Sequence, residues 1–361
     1  MKILILANNS IGLYSFRYDL ISELCKENEI FLSTPDNGFF DELSQSGAKV
    51  IETQIDRRGV NPVRDLALLK TYRRMLKQLK PDMVITYTVK PNVYGGFLCR
   101  MTGIPYAVNI TGLGTTFQSD NLLRKIVVKM YKIGLKKAKI VFFENVENRD
   151  ILVKERVVKE ENTCVLNGAG VNLEKFGFAK YPDERDETRF LFVGRIMKEK
   201  GIEELFSAAK KLFDEGYNVK LDLLGMAEEN YDGIIRRYED EGWLKNHGFQ
   251  SDVKPFIENC DCFVLPSWHE GMANTNLECA ASGRPVITSN IHGCLEAVED
   301  GVTGFLCEKQ NAESLYEAMK RFCGLPIEQR ETMGLAGRKR MEAVFDKRKV
   351  VEETIRHLPV D

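Results

Sequence analysis

Two glutamates and two cations are the groups in this sequence best suited to handling a phosphorylated, hydroxyl-rich ligand. Glu270 and Glu278 are separated by seven residues in Pro266-Ser267-Trp268-His269-Glu270-Gly271-Met272-Ala273-Asn274-Thr275-Asn276-Leu277-Glu278. Glu270 follows the apolar run Cys262–Leu265 and reads as a strand-end loop residue. Asn274 reads as a helix N-cap, which sets Glu278 one turn into the helix. Glu270 would then accept hydrogen bonds from sugar hydroxyls. The amides of Asn274, Thr275 and Asn276 would face a diphosphate, and Glu278 would take ribose hydroxyls. The bland alternative is a capped surface helix with a glutamate in its first turn.

The cations lie in Phe192-Val193-Gly194-Arg195-Ile196-Met197-Lys198-Glu199-Lys200-Gly201. A strand ends at Gly194, where a missing side chain lets backbone come close to a ligand. Arg195 can fork onto phosphate oxygens, and Lys200 adds a compact second charge. A solvated Lys/Glu turn would look the same. In the amino-terminal loop Asn8–Tyr14, Gly12 is the one glycine, which argues against a nicotinamide or flavin fingerprint with its three. Gly12 would let two ligands approach each other closely at the strand end. Lys90, in Tyr87-Thr88-Val89-Lys90-Pro91-Asn92, would contact a phosphate or diphosphate of either ligand, or serve as a plain loop lysine.

The elements that must hold these residues form two wound series. Expected strands are 2–7, 29–33, 49–54, 82–86, 105–110 and 139–143, with helices at 15–26, 64–79 and 121–137, the last entered through Ser119-Asp120. After a linker-like polar stretch, 179–189, strands are expected at 189–193, 219–224, 245–249, 261–265, 284–288 and 304–307. Helices fill the gaps at 201–215, 228–242, 252–259, 275–282, 292–299 and 311–323. Alternating strands and helices predict parallel sheets covered on both faces, an α/β chain of two Rossmann-like domains with a cleft between them.

Composition narrows the classes. At 361 residues, 43% apolar and 29% charged, the chain is neither collagen-like, disordered nor membrane-spanning. Nine cysteines without a C-x-x-C pair, and four histidines, argue against a disulfide framework or zinc site and for a reducing cytoplasm. The apolar start, Met1–Ala7, is too short for a signal-peptide core. Charge is uneven: residues 1–170 carry 25 Lys and Arg against 18 Asp and Glu, and within 57–139 the ratio is 17 to 3. Such clustering repels itself in a compact state and points to an anionic partner.

Gly-Arg-x4-Lys-Gly, Pro-Ser-x-x-Glu-Gly, Gly293 to Glu296 and Asp300-Gly301-x-Thr303-Gly304 together resemble the retaining glycosyltransferases of the GT-B fold, family 4. The resemblance covers nearly the whole chain. It implies a GT-B architecture of two doubly wound domains facing a central cleft. An acceptor domain at 1–178 would be joined by a last helix, 344–361, crossing back onto it. A nucleotide-sugar domain would occupy 187–343. Ala273 stands where the family often has proline. In Val108-Asn109-Ile110-Thr111-Gly112-Leu113-Gly114, Thr111 replaces a histidine that touches the donor sugar in many members. The resemblance assigns Thr111 to the donor, Asn109 with Lys90 to the acceptor, and catalytic duty to Arg195, Lys200 and Glu270. No metal and no cofactor is expected, and His269 and His292 receive no catalytic role.

Residues 121–139 hold seven cations and no acid, interleaved with Leu122, Leu123, Ile126, Val127, Met130, Ile133 and Leu135. Arg124, Lys125, Lys129, Lys132 and Lys136 therefore suit an anionic membrane surface. Arg57, Arg58, Arg64, Lys70, Arg73, Arg74, Lys77 and Lys80 add to the charge. Thr111–Gly114 resembles bacterial enzymes that extend undecaprenyl-diphosphate-linked sugars, N-acetylgalactosaminyltransferases among them. The expected function is transfer of a hexose or N-acetylhexosamine from a UDP-sugar to a lipid-linked saccharide, in the cytoplasm at the inner face of the plasma membrane. A sugar-nucleotide epimerase, or a non-enzymatic protein binding nucleic acid or membrane, are the rivals.

Overall fold

The structure, a computed structural model, describes residues 1–56, 61–117 and 121–359. Arg57 and Arg58, the Ser119-Asp120 helix entry and the last two residues of 344–361 lie outside them. The chain divides into two compact units, 1–169 with 347–361, and 170–346.

The first unit holds β1 (Lys2–Leu6), β2 (Glu29–Thr34), β3 (Lys49–Glu52), β4 (Met83–Tyr87), β5 (Tyr106–Ile110), β6 (Ile140–Phe143) and β7 (Thr163–Val165). They pair in parallel in the order β3-β2-β1-β4-β5-β6-β7. Its helices are α1 (Ser10–Cys25), α2 (Phe40–Gln45), α3 (Pro62–Leu79), α4 (Gly96–Thr102), α5 (Leu122–Gly134) and α6 (Val146–Lys154). Alternate strand residues feed opposite layers. Leu4, Leu6, Val84, Val108 and Val141 pack with Leu68 and Tyr72 of α3 and Val128 and Tyr131 of α5. Ile3, Ile5, Ile85 and Phe142 pack with Leu13, Leu20 and Leu24 of α1 and with Val350 and Leu358 near the carboxyl terminus. Helix starts follow asparagines: the Asn9, Asn61, Asn121 and Asn145 side chains each accept an amide at the head of α1, α3, α5 and α6. Because Asn9 is the cap, α1 begins at Ser10, and Gly12 sits in its first turn rather than in a loop.

The second unit holds β8 (Thr188–Val193), β9 (Val219–Leu224), β10 (Leu244–Gly248), β11 (Cys262–Leu265), β12 (Val286–Ser289) and β13 (Gly304–Cys307), parallel in the order β10-β9-β8-β11-β12-β13. Around them lie α7 (Ile202–Asp214), α8 (Asp232–Asp240), α9 (Lys254–Asn259), α10 (Asn274–Ala281), α11 (Ala312–Cys323) and α12 (Ile327–Arg340). The helix expected at 292–299 is only a short turn, Leu295–Ala297. Glu296 there accepts the Gly293 amide at 2.7 Å and pairs with His292 at 2.8 Å, closing a loop instead.

The polar stretch 179–189 is packed structure, not linker. Tyr181 is buried with its hydroxyl on the Asp261 carbonyl at 2.7 Å. Fully buried Arg284 donates to the carbonyls of Ala179 and Lys180 from one side and Ile257 and Glu258 from the other. The chain then returns to the first unit as α13 (Lys347–His357), where Lys347 pairs with Asp19 of α1 at 3.2 Å.

Candidate active site

In each sheet strand order reverses once, between β1 and β4 and between β8 and β11. Ligands of open parallel sheets bind outside the carboxyl ends of strands at such a reversal. Gly194-Arg195 follows β8, and the loop from Pro266 to Glu270 follows β11, so the second unit brings both cation and glutamate segments to one reversal.

Gly201 explains how closely they meet. It has φ 72°, and a Cβ there would fall 2.0 Å from the Pro266 carbonyl oxygen. The turn carrying Lys200 therefore lies flat on the β11 loop, and Lys200 ion-pairs with Glu270. Ser267 donates to Glu270 Oε1 at 2.8 Å. Burial pushes the Glu270 carboxyl up, but the Lys200 charge and the hydrogen bonds from Lys200 and Ser267 outweigh it and hold the group below its ordinary range. Gly293, at φ 91°, backs the same loop, because a Cβ there would come within 2.8 Å of the Glu270 and Gly271 carbonyl oxygens. Trp268 braces it from the other side: its amide donates to the Glu199 carbonyl at 3.0 Å and its indole to buried Glu204 at 3.1 Å.

Arg195 does not join that pair. Its side chain, 43% exposed, spans both oxygens of Glu228 in the loop after β9, at 3.0 and 3.2 Å. The α10 start also differs from expectation. Ala273 occupies the cap position and offers no side-chain bond, so Asn274 is the first helical residue. The Asn274 amide bonds the Met272 carbonyl at 3.0 Å and the Asn276 amide the Ala273 carbonyl at 2.9 Å, so neither points freely at a ligand. Asn276 is fully buried, donating to Thr288 at 3.1 Å, and ties α10 to β12. Thr275 and Glu278 are half-buried in the same helix. Burial pushes the His269 imidazole below its ordinary value, and its Nδ1 has no partner among the described residues.

In the first unit the expected residues are more firmly bound than loop residues would be. Lys90 pairs with Asp65 of α3 at 2.7 Å, both largely buried, so it is no loose lysine. Asn109 is buried; its carbonyl accepts the Asn92 amide group at 2.9 Å and its own side chain reaches the Thr86 carbonyl at 3.4 Å. Thr111, half-buried, follows β5 directly. On α5, Arg124 is paired with Glu155 at 2.9 Å, whereas Lys125, Lys129, Lys132 and, just past the helix, Lys136 are exposed.

Residues 175–340 match the family model described as glycosyl transferases group 1, and residues 2–145 match the one described as glycosyl transferase 4-like. This chain is a glycosyltransferase of the GT-B fold.

The glycosyltransferase is 29% identical over 335 residues, 88% of each chain, to the N,N'-diacetylbacillosaminyl-diphospho-undecaprenol alpha-1,3-N-acetylgalactosaminyltransferase of Campylobacter jejuni. It is 29% identical, over 73% of this chain and 72% of the relative, to the UDP-Gal:alpha-D-GlcNAc-diphosphoundecaprenol alpha-1,3-galactosyltransferase of Escherichia coli. Anabaena HepE, solved with UDP and glucose, superposes with a TM-score of 0.82 at 18% identity over 99% of both chains.

Several residues of this glycosyltransferase escaped the sequence reading. Arg17 of α1 forms a buried ion pair with Glu144, which follows β6, and lies 5.3 Å from the Tyr87 ring centroid. An arginine between Leu13 and Leu20 on the apolar face of a helical stretch, and a glutamate ending Ile140-Val141-Phe142-Phe143, are the available signals. Glu228, Glu204 and Asp65 had none, because each acts through a partner distant in sequence.

Proposed function

We propose that this glycosyltransferase moves a hexose or N-acetylhexosamine, N-acetylgalactosamine being favoured, from a UDP-sugar to a polyprenyl-diphosphate-linked saccharide. Transfer retains anomeric configuration and uses no metal ion or cofactor. The observation that carries this reading is the Lys200–Glu270 pair at the β8/β11 reversal, a half-buried cation and carboxylate held together where a parallel sheet receives ligands. The names of the Campylobacter and Escherichia relatives, which specify diphospho-undecaprenol acceptors, support the acceptor class.

Donor diphosphate displaces Arg195 from Glu228 and is neutralised by Arg195 and Lys200, with the amino end of α10 adding its dipole. These fixed positive groups do what a divalent ion does in other transferases. Glu270 holds sugar hydroxyls and is not the nucleophile; Glu278 takes the ribose. The departing phosphate helps deprotonate the acceptor hydroxyl, which attacks on the same face.

The enzyme works at the cytoplasmic leaflet as a peripheral protein. No helix among the described residues is long and apolar enough to cross a membrane. Leu122, Ile126 and Ile133 of α5 are exposed beside Lys125, Lys129 and Lys132, as an interfacial helix requires. The deciding experiment is nucleotide release from a panel of UDP- and GDP-sugars, with and without a detergent-solubilised polyprenyl-diphosphate sugar. Acceptor-dependent UDP release from one donor is expected. Donor binding without release would discard the acceptor class, and no nucleotide binding at all would discard the transferase site.

A further inference from the structure

A hollow of about 810 Å³ lies between the end of α4, α5 and the segment that follows α6. Arg100, Lys129, Lys132, Lys136, Arg156 and Lys159 line it, and no carboxylate does. Among the described residues only Lys159 of these six has a carboxylate partner, Glu161 at 3.1 Å. Cations gathered from three chain segments repel one another, and an anion held among them relieves that repulsion. Its floor is apolar, including Val141 and Val157. Ala138 and Asn162, which also line it, precede β6 and β7, so the hollow opens at the amino ends of those strands. The loops where a parallel sheet binds substrate lie at the opposite ends. The hollow is therefore separate from the substrate site.

We propose that this hollow is a binding pocket for the phosphate headgroup of an anionic bilayer lipid. The proposal deepens the reading of the enzyme as a peripheral membrane protein and rests on it. The bilayer is favoured over a soluble phosphate because Ile133 lines the hollow and is 40% exposed, with Ile126 and Leu122 continuing along the same helix at 48% and 74%. Those side chains enter the acyl boundary while the cations close on the headgroup. A nucleic acid would use aromatic side chains for stacking, and none lines the hollow.

The test is co-sedimentation of the full chain with phosphatidylcholine vesicles, with and without phosphatidylglycerol. Lys132→Ala/Lys136→Ala/Arg156→Ala is expected to lower partition onto phosphatidylglycerol vesicles by about tenfold or more. Arg73→Ala/Arg74→Ala/Lys77→Ala, which removes the same charge from exposed positions on α3, is expected to lower it much less. Leu122→Asp/Ile126→Asp, which leaves every cation in place, is expected to weaken binding as well. Equal losses from the two triple variants would reduce the pocket to diffuse attraction and overturn the proposal. So would vesicle binding that ignores phosphatidylglycerol, loss of single-stranded DNA binding in place of vesicle binding, or no effect of the aspartates. UDP binding by the wild-type protein, measured alongside, separates the two readings. No binding to either vesicle with UDP still bound removes the peripheral-membrane reading together with the pocket, whereas equal losses from the two triple variants remove only the pocket.

Discussion

Lys200 and Glu270 form their ion pair across 70 residues of sequence, and what joins them is a glycine. Gly201 is the residue whose missing Cβ lets the Lys200 turn lie against the Pro266 carbonyl.

Lys200→Ala should lower turnover by orders of magnitude, about 10²–10³-fold by analogy with losing one preorganised charge-stabilising group. Steady-state kinetics with a circular-dichroism melt would check it. A folded variant with near-wild-type turnover would remove Lys200 from the reaction.

Gly201→Ala should both destabilise the protein and slow it, because φ 72° and a carbonyl 2.0 Å from the new Cβ leave the methyl no room. Gly233→Ala in α8 provides the contrast. Its Cβ meets nothing within 4 Å, and removing a helical glycine should stabilise by about 0.5 kcal/mol. Urea midpoints for the pair test whether space, rather than glycine content, decides.

Glu270 links the site to acid stability. Its carboxyl titrates below its ordinary 4.5 when folded, so its contribution is fully present above that value and is lost as pH falls through the depressed folded value. Glu270→Gln should therefore flatten the acid limb of a stability-against-pH curve while leaving the basic limb unchanged. An identical acid limb in the variant would show that Glu270 is not held as an anion.

Arg17→Ala should destabilise by about 3 kcal/mol, since it removes one charge of a buried ion pair. Arg17→Met/Glu144→Gln should recover much of that loss, because it removes both charges. Chemical denaturation of the two variants measures the difference, and an equal loss in both would assign the cost to packing against Tyr87 instead.

Glu228→Gln should tighten UDP binding several-fold, because the exposed Arg195–Glu228 pair competes with the diphosphate and such a pair is worth about 0.2–1 kcal/mol. Isothermal titration calorimetry at low and high salt reads it. Unchanged affinity would mean that Arg195 does not bind the nucleotide.

What the sequence makes legible follows from range. Apolar runs such as Cys262–Leu265 and Ile140–Phe143 become strands where they are expected, because burial on both sheet faces needs no distant information. β7 escapes notice because its three residues are half-buried and carry no apolar run. The α10 cap is misplaced by one residue: asparagine favours caps elsewhere in this chain, but here the Gly293 carbonyl accepts the Ala273 amide at 2.7 Å and sets where the helix starts. Lys90 and Arg195 are visible as cations, yet their partners Asp65 and Glu228 are determined by tertiary packing. The aliphatic row of α5 is legible as a row, but a helical stripe looks alike whether it faces a core or an anionic surface, and only the structure shows Leu122, Leu123, Ile126 and Ile133 exposed.

The first unit is assembled from both ends of the chain. Val350 and Leu358 complete the layer that β1 and α1 begin, and Lys347 reaches Asp19. On the ribosome that layer stays open while residues 170–346 are made, roughly ten to thirty-five seconds at about 5–20 residues per second. The amino-terminal half must therefore wait with part of its apolar surface bare, a window in which chaperones or premature association compete with the arrival of the last helix.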